Sequence, residues 1–224
     1  MKAEFNGQDR ILLLGITKGL KDSGSLVEQF LNREHFDIIL LSITDEEVHG
    51  LRDFMKHPIE MEMDDLEIIY EYHIQKFGET SIPPEAYISA IKVADQKGVE
   101  VVGIDIPSGK YEDLFVNNVQ LSDMIFLSLR KRRLIRRRWK KSDPETFSLD
   151  WDSYLNKGGY RKLEMERASY MASEIVKRKR NNTIVIMEVE RLRDVVHNLN
   201  NILQGYRLQE NFEETKGVSS GELS

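Results

Sequence analysis

Short apolar runs separated by longer stretches of helical spacing set the rhythm of this chain. RILLLGI, at 10–16, is a continuous apolar run ending in Gly15-Ile16, the pattern of a strand buried on both faces. FDIILLSI at 36–43, VEVVGID at 99–105 and TIVIMEVE at 183–190 repeat the pattern. After the first run, SGSLVEQFLNR places Leu26, Phe30 and Leu31 at helical spacing behind a Ser23 or Ser25 cap. Spacing predicts further helices over 45–56 and over 63–78, the second stopping at Gly78. In SIPPEAYISAIKVADQKG, Pro83 and Pro84 suit a helix entrance and Gly98 its C-terminal end, with Ile88, Ile91 and Ala94 on the buried face. A long, mostly helical stretch then runs from about Lys110 into a basic segment, and 140–159 reads as a loop or short irregular helix. YRKLEMERASYMASEIVKRKR is a strong helix, and RLRDVVHNLNNILQGY closes the pattern.

Strands alternating with helices predict an α/β fold: a central parallel-rich sheet of about four strands flanked by helices, with a helical insertion at 110–160 before the last strand. One domain is expected over 1–207, followed by a flexible polar tail over 208–224. No internal repeat is visible.

Composition narrows the classes. The chain has no cysteine, which excludes disulfides and thiolate metal sites and fits a reducing, cytoplasmic setting. No apolar run approaches the roughly 18–20 residues of a membrane span, and the opening MKAEFNGQDR has no signal-peptide core.

Charge changes the picture more. The formal net charge is −6, yet nine of the twelve residues from Arg130 to Lys141 are basic. Residues 42–80 carry eleven acidic against three basic side chains. The basic run can be neutralised by those acids, within one subunit or across a homodimer. Read as a helix, it packs Ile135 and Trp139 together against the body. It can instead dock a protein partner, or nucleic acid, with Arg132, Arg133, Arg136, Arg137 and Arg138 on phosphates and Trp139 stacking on a base. A membrane surface or a gate over an anionic substrate completes the alternatives.

Ligands of open parallel sheets gather beyond the carboxyl ends of the strands. That rim holds Gly15, Thr17 and Lys18 after the first strand, Ser42 and Glu47 after the second, Asp105 after the third, and Glu188, Glu190 and Arg191 after the fourth. Neither GITKG nor GVEVVGIDIPSG has the glycine spacing of a phosphate or dinucleotide loop.

The order of these segments resembles the TraB/PrgY-like (pheromone-shutdown) family of the Tiki and erythromycin-esterase-like superfamily. GITK, FDIILLSITDEEVHGL, FGETSIPPEAYISAIKVADQKGVEVVGID and MERASYMASEIVKRKRNNTIVIMEVERLRDVVHNL carry the resemblance, over roughly 10–200. It implies a metal-dependent hydrolase with a Gly-x-x-His after the first strand, a glutamate ending the second, an arginine on the late helix and a second Gly-x-x-His after the last strand. Here those positions read Gly15-Ile16-Thr17-Lys18, Ser42, Arg167 and Met187-Glu188-Val189-Glu190. Both histidines and the carboxylate are replaced, and a protonated lysine does not ligate metal. His35, His49, His57, His73 and His197 occupy none of these places.

The expectation is therefore a hydrolase-like pseudoenzyme with no divalent metal, acting in binding or regulation. Its expected pocket comprises Gly15, Thr17, Lys18, Arg167 and Glu190, with Lys18 paired to Glu190. An altered hydrolase would draw its nucleophile or base from Ser42, Glu47, Asp105 or Glu188, with Arg167 stabilising an anion.

Overall fold

The computed structural model describes residues 1–139 and 143–211; Lys140 and Lys141 of the basic run, and 212–224 of the expected tail, lie outside them. The described strands are β1 (Lys2–Asn6), β2 (Arg10–Ile16), β3 (Ile38–Leu41), β4 (Glu100–Gly103), β5 (Asn182–Glu188) and β6 (Arg207–Asn211). They form one mixed six-stranded sheet in the order β4-β3-β5-β2-β1-β6. The first four are mutually parallel, and β1 and β6 add antiparallel pairs at one edge.

The parallel part coincides with the four apolar runs, and the sheet is two strands wider than expected. In β1, KAEFN, alternation turns Ala3 and Phe5 fully inward while Lys2 faces out. RLQEN of β6 is polar and mostly exposed, held by main-chain pairing to β1. Residues 208–211, expected to begin a flexible tail, are thus an edge strand.

The helices are α1 (Asp22–Arg33), α2 (Asp45–Lys56), α3 (Asp65–Ile74), α4 (Glu85–Lys97), α5 (Ser108–Asn118), α6 (Leu121–Leu134), α7 (Pro144–Leu155), α8 (Gly159–Arg178) and α9 (Val189–Ile202). In β2, Ile11 and Leu13 belong to the core shared with Ile175 of α8 and Leu192 of α9; Leu12 and Leu14 join Val27 of α1 and Ile91 of α4 on the opposite face. Burial on both sides explains the unbroken apolar run, and each such side chain contributes roughly 2 kcal/mol. Helix α4 stops where expected, at Gly98, whose φ of 66° is the left-handed turn that glycine adopts without a Cβ clash.

Two local expectations are corrected. The stretch 140–159, expected as a loop or short irregular helix, holds the three-turn helix α7: the Asp143 carboxylate accepts from the Thr146 amide at 2.7 Å and Pro144 fills the first turn. The basic run is not one helix, because α6 ends at Leu134. Leu134 is fully buried, whereas Ile135 is 59% exposed and does not pack under Trp139. Trp139 instead meets Phe147 and Trp151 of α7, with ring centroids 5.4 and 5.9 Å away. With Leu20, Ile69 and Ile74 these residues build a third, smaller apolar cluster.

Candidate functional site

A cavity of about 690 Å³ opens where the parallel strands end. Its polar floor comes from Ser42 after β3, Asp105 after β4, Glu188 at the end of β5, Arg167 of α8, and Glu190 and Arg191 of α9. Its walls are apolar: Leu51 and Phe54 of α2, Tyr70 and Ile74 of α3, the Ile82-Pro83-Pro84 segment, and Trp151 and Leu155 of α7. Gly103 helps set this arrangement, since a Cβ there would stand 2.3 Å from the Thr44 carbonyl carbon. The close approach lets the Gly103 amide donate to Asp45 Oδ1 at 2.8 Å, tying the start of α2 to β4.

The floor is a dense ionic network. Both edges of the Arg167 guanidinium are engaged, by Asp105 and by Glu164 Oε1 at 2.7 Å. Arg191 reaches Asp105 at 3.3 Å, Glu188 at 3.5 Å and Glu164 at 3.6 Å. Ser42 donates to Glu188 Oε2 at 2.6 Å and lies 3.0 Å from the Tyr87 hydroxyl. Burial works to raise the Glu188 pKa, but the Arg191 charge and the Ser42 hydrogen bond bring it down to about 2.

Other acids respond in the opposite direction. Burial, reinforced by the Glu188 charge, pushes Glu190 up to about 8. Its Oε2 is buried without a hydrogen-bond partner. Asp152 is raised to about 6 by burial and by Glu164, although Asn156 Nδ2 donates to it at 2.5 Å. Burial also lifts the Tyr87 and Tyr70 phenols. The Tyr70 hydroxyl lies 2.9 Å from Ser148 Oγ and donates to the Lys18 carbonyl at 3.3 Å, joining α3 and α7 to the loop after β2.

Of the residues expected at the rim or in the pocket, Lys18, Ser42, Glu47, Asp105, Arg167, Glu188, Glu190 and Arg191 line this cavity. Gly15 and Thr17 do not. Gly15 lies beneath Val189 and Leu192, and buried Thr17 offers its carbonyl to Ser23. The expected Lys18–Glu190 ion pair is absent: the carboxylate near Lys18 Nζ is Glu67, at 3.9 Å. Glu47 is held in a capping box, accepting from the Thr44 amide at 2.7 Å. As a nucleophile Ser42 is poorly served, because its partner Glu188 is a weak base and both groups are buried.

The residues at the floor do not fit the divalent metal that the family resemblance implies. Among the described residues no group of three or more histidines or carboxylates is arranged to hold a metal ion. The positions that the resemblance would assign to the metal are Lys18, Ser42 and Glu190, and no histidine lines the cavity. His73 is buried elsewhere, its Nε2 3.1 Å from the Leu134 carbonyl.

Sequence reading missed Tyr70, Tyr87, Trp151, Asp152 and Glu164. Trp151 and Asp152 fell in the stretch read as irregular, and Tyr70 and Tyr87 sit within helices, away from any strand end. Glu164 carried one usable signal, its position one helical turn before Arg167.

The basic run is divided between two roles. Arg137 stacks over Trp139 and Tyr154, and Arg130 donates to the carbonyls of Tyr154 and Leu155 at 3.2 Å, at the end of α7. With Trp139 built into the aromatic cluster, its expected role as a base-stacking platform is withdrawn. Lys131 pairs with Asp65 at 2.6 Å, one contact of the kind expected with the acidic segment. Arg132, Arg133, Arg136 and Arg138 are exposed and form no ion pair among the described residues. No helix of the described residues is long and apolar enough to cross a membrane.

No protein-family model matches this chain, and no curated protein matches it by sequence.

Proposed function

We propose that this chain is a small-molecule-binding domain, a TraB-like scaffold whose strand-end cavity serves recognition rather than metal-dependent hydrolysis. The observation that carries the reading is the cavity itself: about 690 Å³ with apolar walls and a polar floor, within the size range of ligand sites. Lys18 and Glu190, which occupy the family's two histidine positions, both line it. That convergence is what the resemblance leads one to expect of a former active site. Loss of imidazole at both positions favours binding over inherited chemistry.

Gly50 supplies the test. It lies in α2, lines the cavity, and has open space where a side chain would begin. Gly50→Trp should fold, narrow the cavity and lose ligands found by NMR fragment screening of the wild type. Fragment binding equal in both proteins would overturn the reading. So would ester or peptide hydrolysis that disappears in Ser42→Ala, which favours the hydrolase alternative.

The four exposed arginines that form no ion pair among the described residues support a competing reading as a nucleic-acid-binding protein. Salt-dependent retention of single-stranded RNA that is lost on replacing Arg132, Arg133, Arg136 and Arg138 by alanine would establish it.

A further inference from the structure

We propose that the cavity takes an amphipathic organic cation: an apolar body against the helical walls and a protonated amine at Glu190 and Asp152. This rests on the small-molecule-binding reading above and specifies its ligand.

The charge balance comes first. The cavity is lined by seven carboxyl groups and three cationic side chains, Lys18, Arg167 and Arg191. The cations are already committed. Arg167 is shared by Asp105 and Glu164, Arg191 by Asp105, Glu188 and Glu164, and Lys18 stands 3.9 Å from Glu67. Among the described residues an anionic ligand would find both arginines shared by carboxylates and only half-exposed Lys18 in a long contact, and would enter against an excess of acids.

Four of these carboxyl groups form no ion pair among the described residues: Glu47 and Glu71 are held by the Thr44 amide and the Thr80 hydroxyl, and the other two are Glu190 and Asp152. Glu190 has a buried oxygen with no hydrogen-bond partner, and Asp152 accepts from Asn156 but forms no ion pair. A buried carboxylate needs a counter-charge or a proton. Both groups have pKa values raised by burial and by neighbouring acids, so a proton fills the place that a ligand cation would take. Glu188, Asp152 and Arg191 are the charged groups that act most on Glu190; Glu164, Arg191 and Arg161 act on Asp152.

The walls suit the same ligand. Tyr70 and Trp151 meet edge to face, with centroids 5.3 Å apart, and both line the cavity together with Phe54 and Tyr87. Aromatic faces beside carboxylates attract ammonium groups and accept the apolar body that carries them. Glu47, Glu67 and Glu71 extend the negative field towards the wall formed by α2 and α3, which favours cation entry.

The test compares three indoles that differ in one group: tryptamine, tryptophol and indoleacetate. Titration calorimetry on the full chain should give tryptamine an affinity at least about tenfold above tryptophol, with indoleacetate weaker still. Tryptamine binding should release protons between about pH 6 and about pH 8, read from the dependence of the heat on buffer ionisation enthalpy. Glu190→Gln should reduce both the preference and the proton release; Asp152→Asn provides the same comparison if the first variant does not fold. Tryptophol or indoleacetate binding as tightly as tryptamine would overturn the cation and leave the small-molecule reading standing. Unchanged tryptamine binding in both variants would also overturn it. If none of the three binds and the fragment screen is likewise empty, both inferences fail.

Discussion

Glu188 and Glu190, separated by one residue at the start of α9, are driven to opposite sides of neutral pH. Glu188 faces Arg191 and the Ser42 hydroxyl and keeps its charge. Glu190, without a cation and close to the charge of Glu188, keeps its proton. The ionisation of one is part of the reason the other stays neutral.

Stability should therefore fall as pH rises through neutrality. Glu190 titrates near 8 in the fold against an ordinary 4.5, so between those values the folded chain holds a proton that the unfolded chain has lost. Asp152, raised from 3.8 to about 6, acts in the same direction over its own range. Glu188 acts oppositely: its contribution is present above 4.5 and is lost as pH falls towards 2. Urea midpoints at about pH 5 and about pH 8.5 should show wild type weakening, with Glu190→Gln much flatter and the more stable protein at the higher pH.

Asp105 is the shared counter-ion of Arg167 and Arg191. Asp105→Ala leaves both guanidinium groups partly uncompensated in a buried setting and should cost about 3 kcal/mol or more. Thermal unfolding should show this as a midpoint lowered by roughly 6–12 °C. An unchanged midpoint would mean that Glu164 and Glu188 suffice to hold the pair.

Gly103→Ala should be among the most damaging small substitutions. The added carbon would meet the backbone of Thr44 and Asp45 within 2.5 Å, and backbone cannot rotate aside as a side chain can. The expected cost is about 3 kcal/mol. Gly50→Ala, with open space around its Cβ, should be neutral or stabilising by about 1 kcal/mol, since alanine favours a helix.

The basic segment should separate into anchor and surface. Trp139→Ala opens the aromatic cluster around Phe147 and Trp151 and should destabilise by about 3 kcal/mol. Alanine at Arg132, Arg133, Arg136 and Arg138, all exposed, should each change stability by no more than about 0.5 kcal/mol. Denaturant unfolding of the tryptophan variant and of the quadruple arginine variant distinguishes the two roles.

The parallel centre of the fold was readable because burial on both faces leaves no polar position in ILLLGI, after Arg10 at the edge, or in IILL. β1 escaped because five residues, three of them polar, carry little pattern, and β6 because pairing with β1, rather than composition, makes it a strand. The polar floor was readable for a related reason: strand ends are fixed points, and Ser42, Asp105 and Glu188 had to fall there once the sheet was parallel. Pairings among those residues were not readable. Lys18 and Glu190 share the cavity, yet the carboxylate beside Lys18 is Glu67, from a helix the strand-end rule does not place.

The cavity has two builders with different obligations. Its floor is fixed to the ends of the central sheet, where a change disturbs strand pairing and the paired arginines. Leu51 and Phe54, half-buried, and Ile82, exposed, stand outside that centre. Substitution there can reshape the cavity while leaving the strand pairing and the charge pattern beneath it in place. The shape of the cavity can therefore vary while the sheet and the ion pairs beneath it stay as they are.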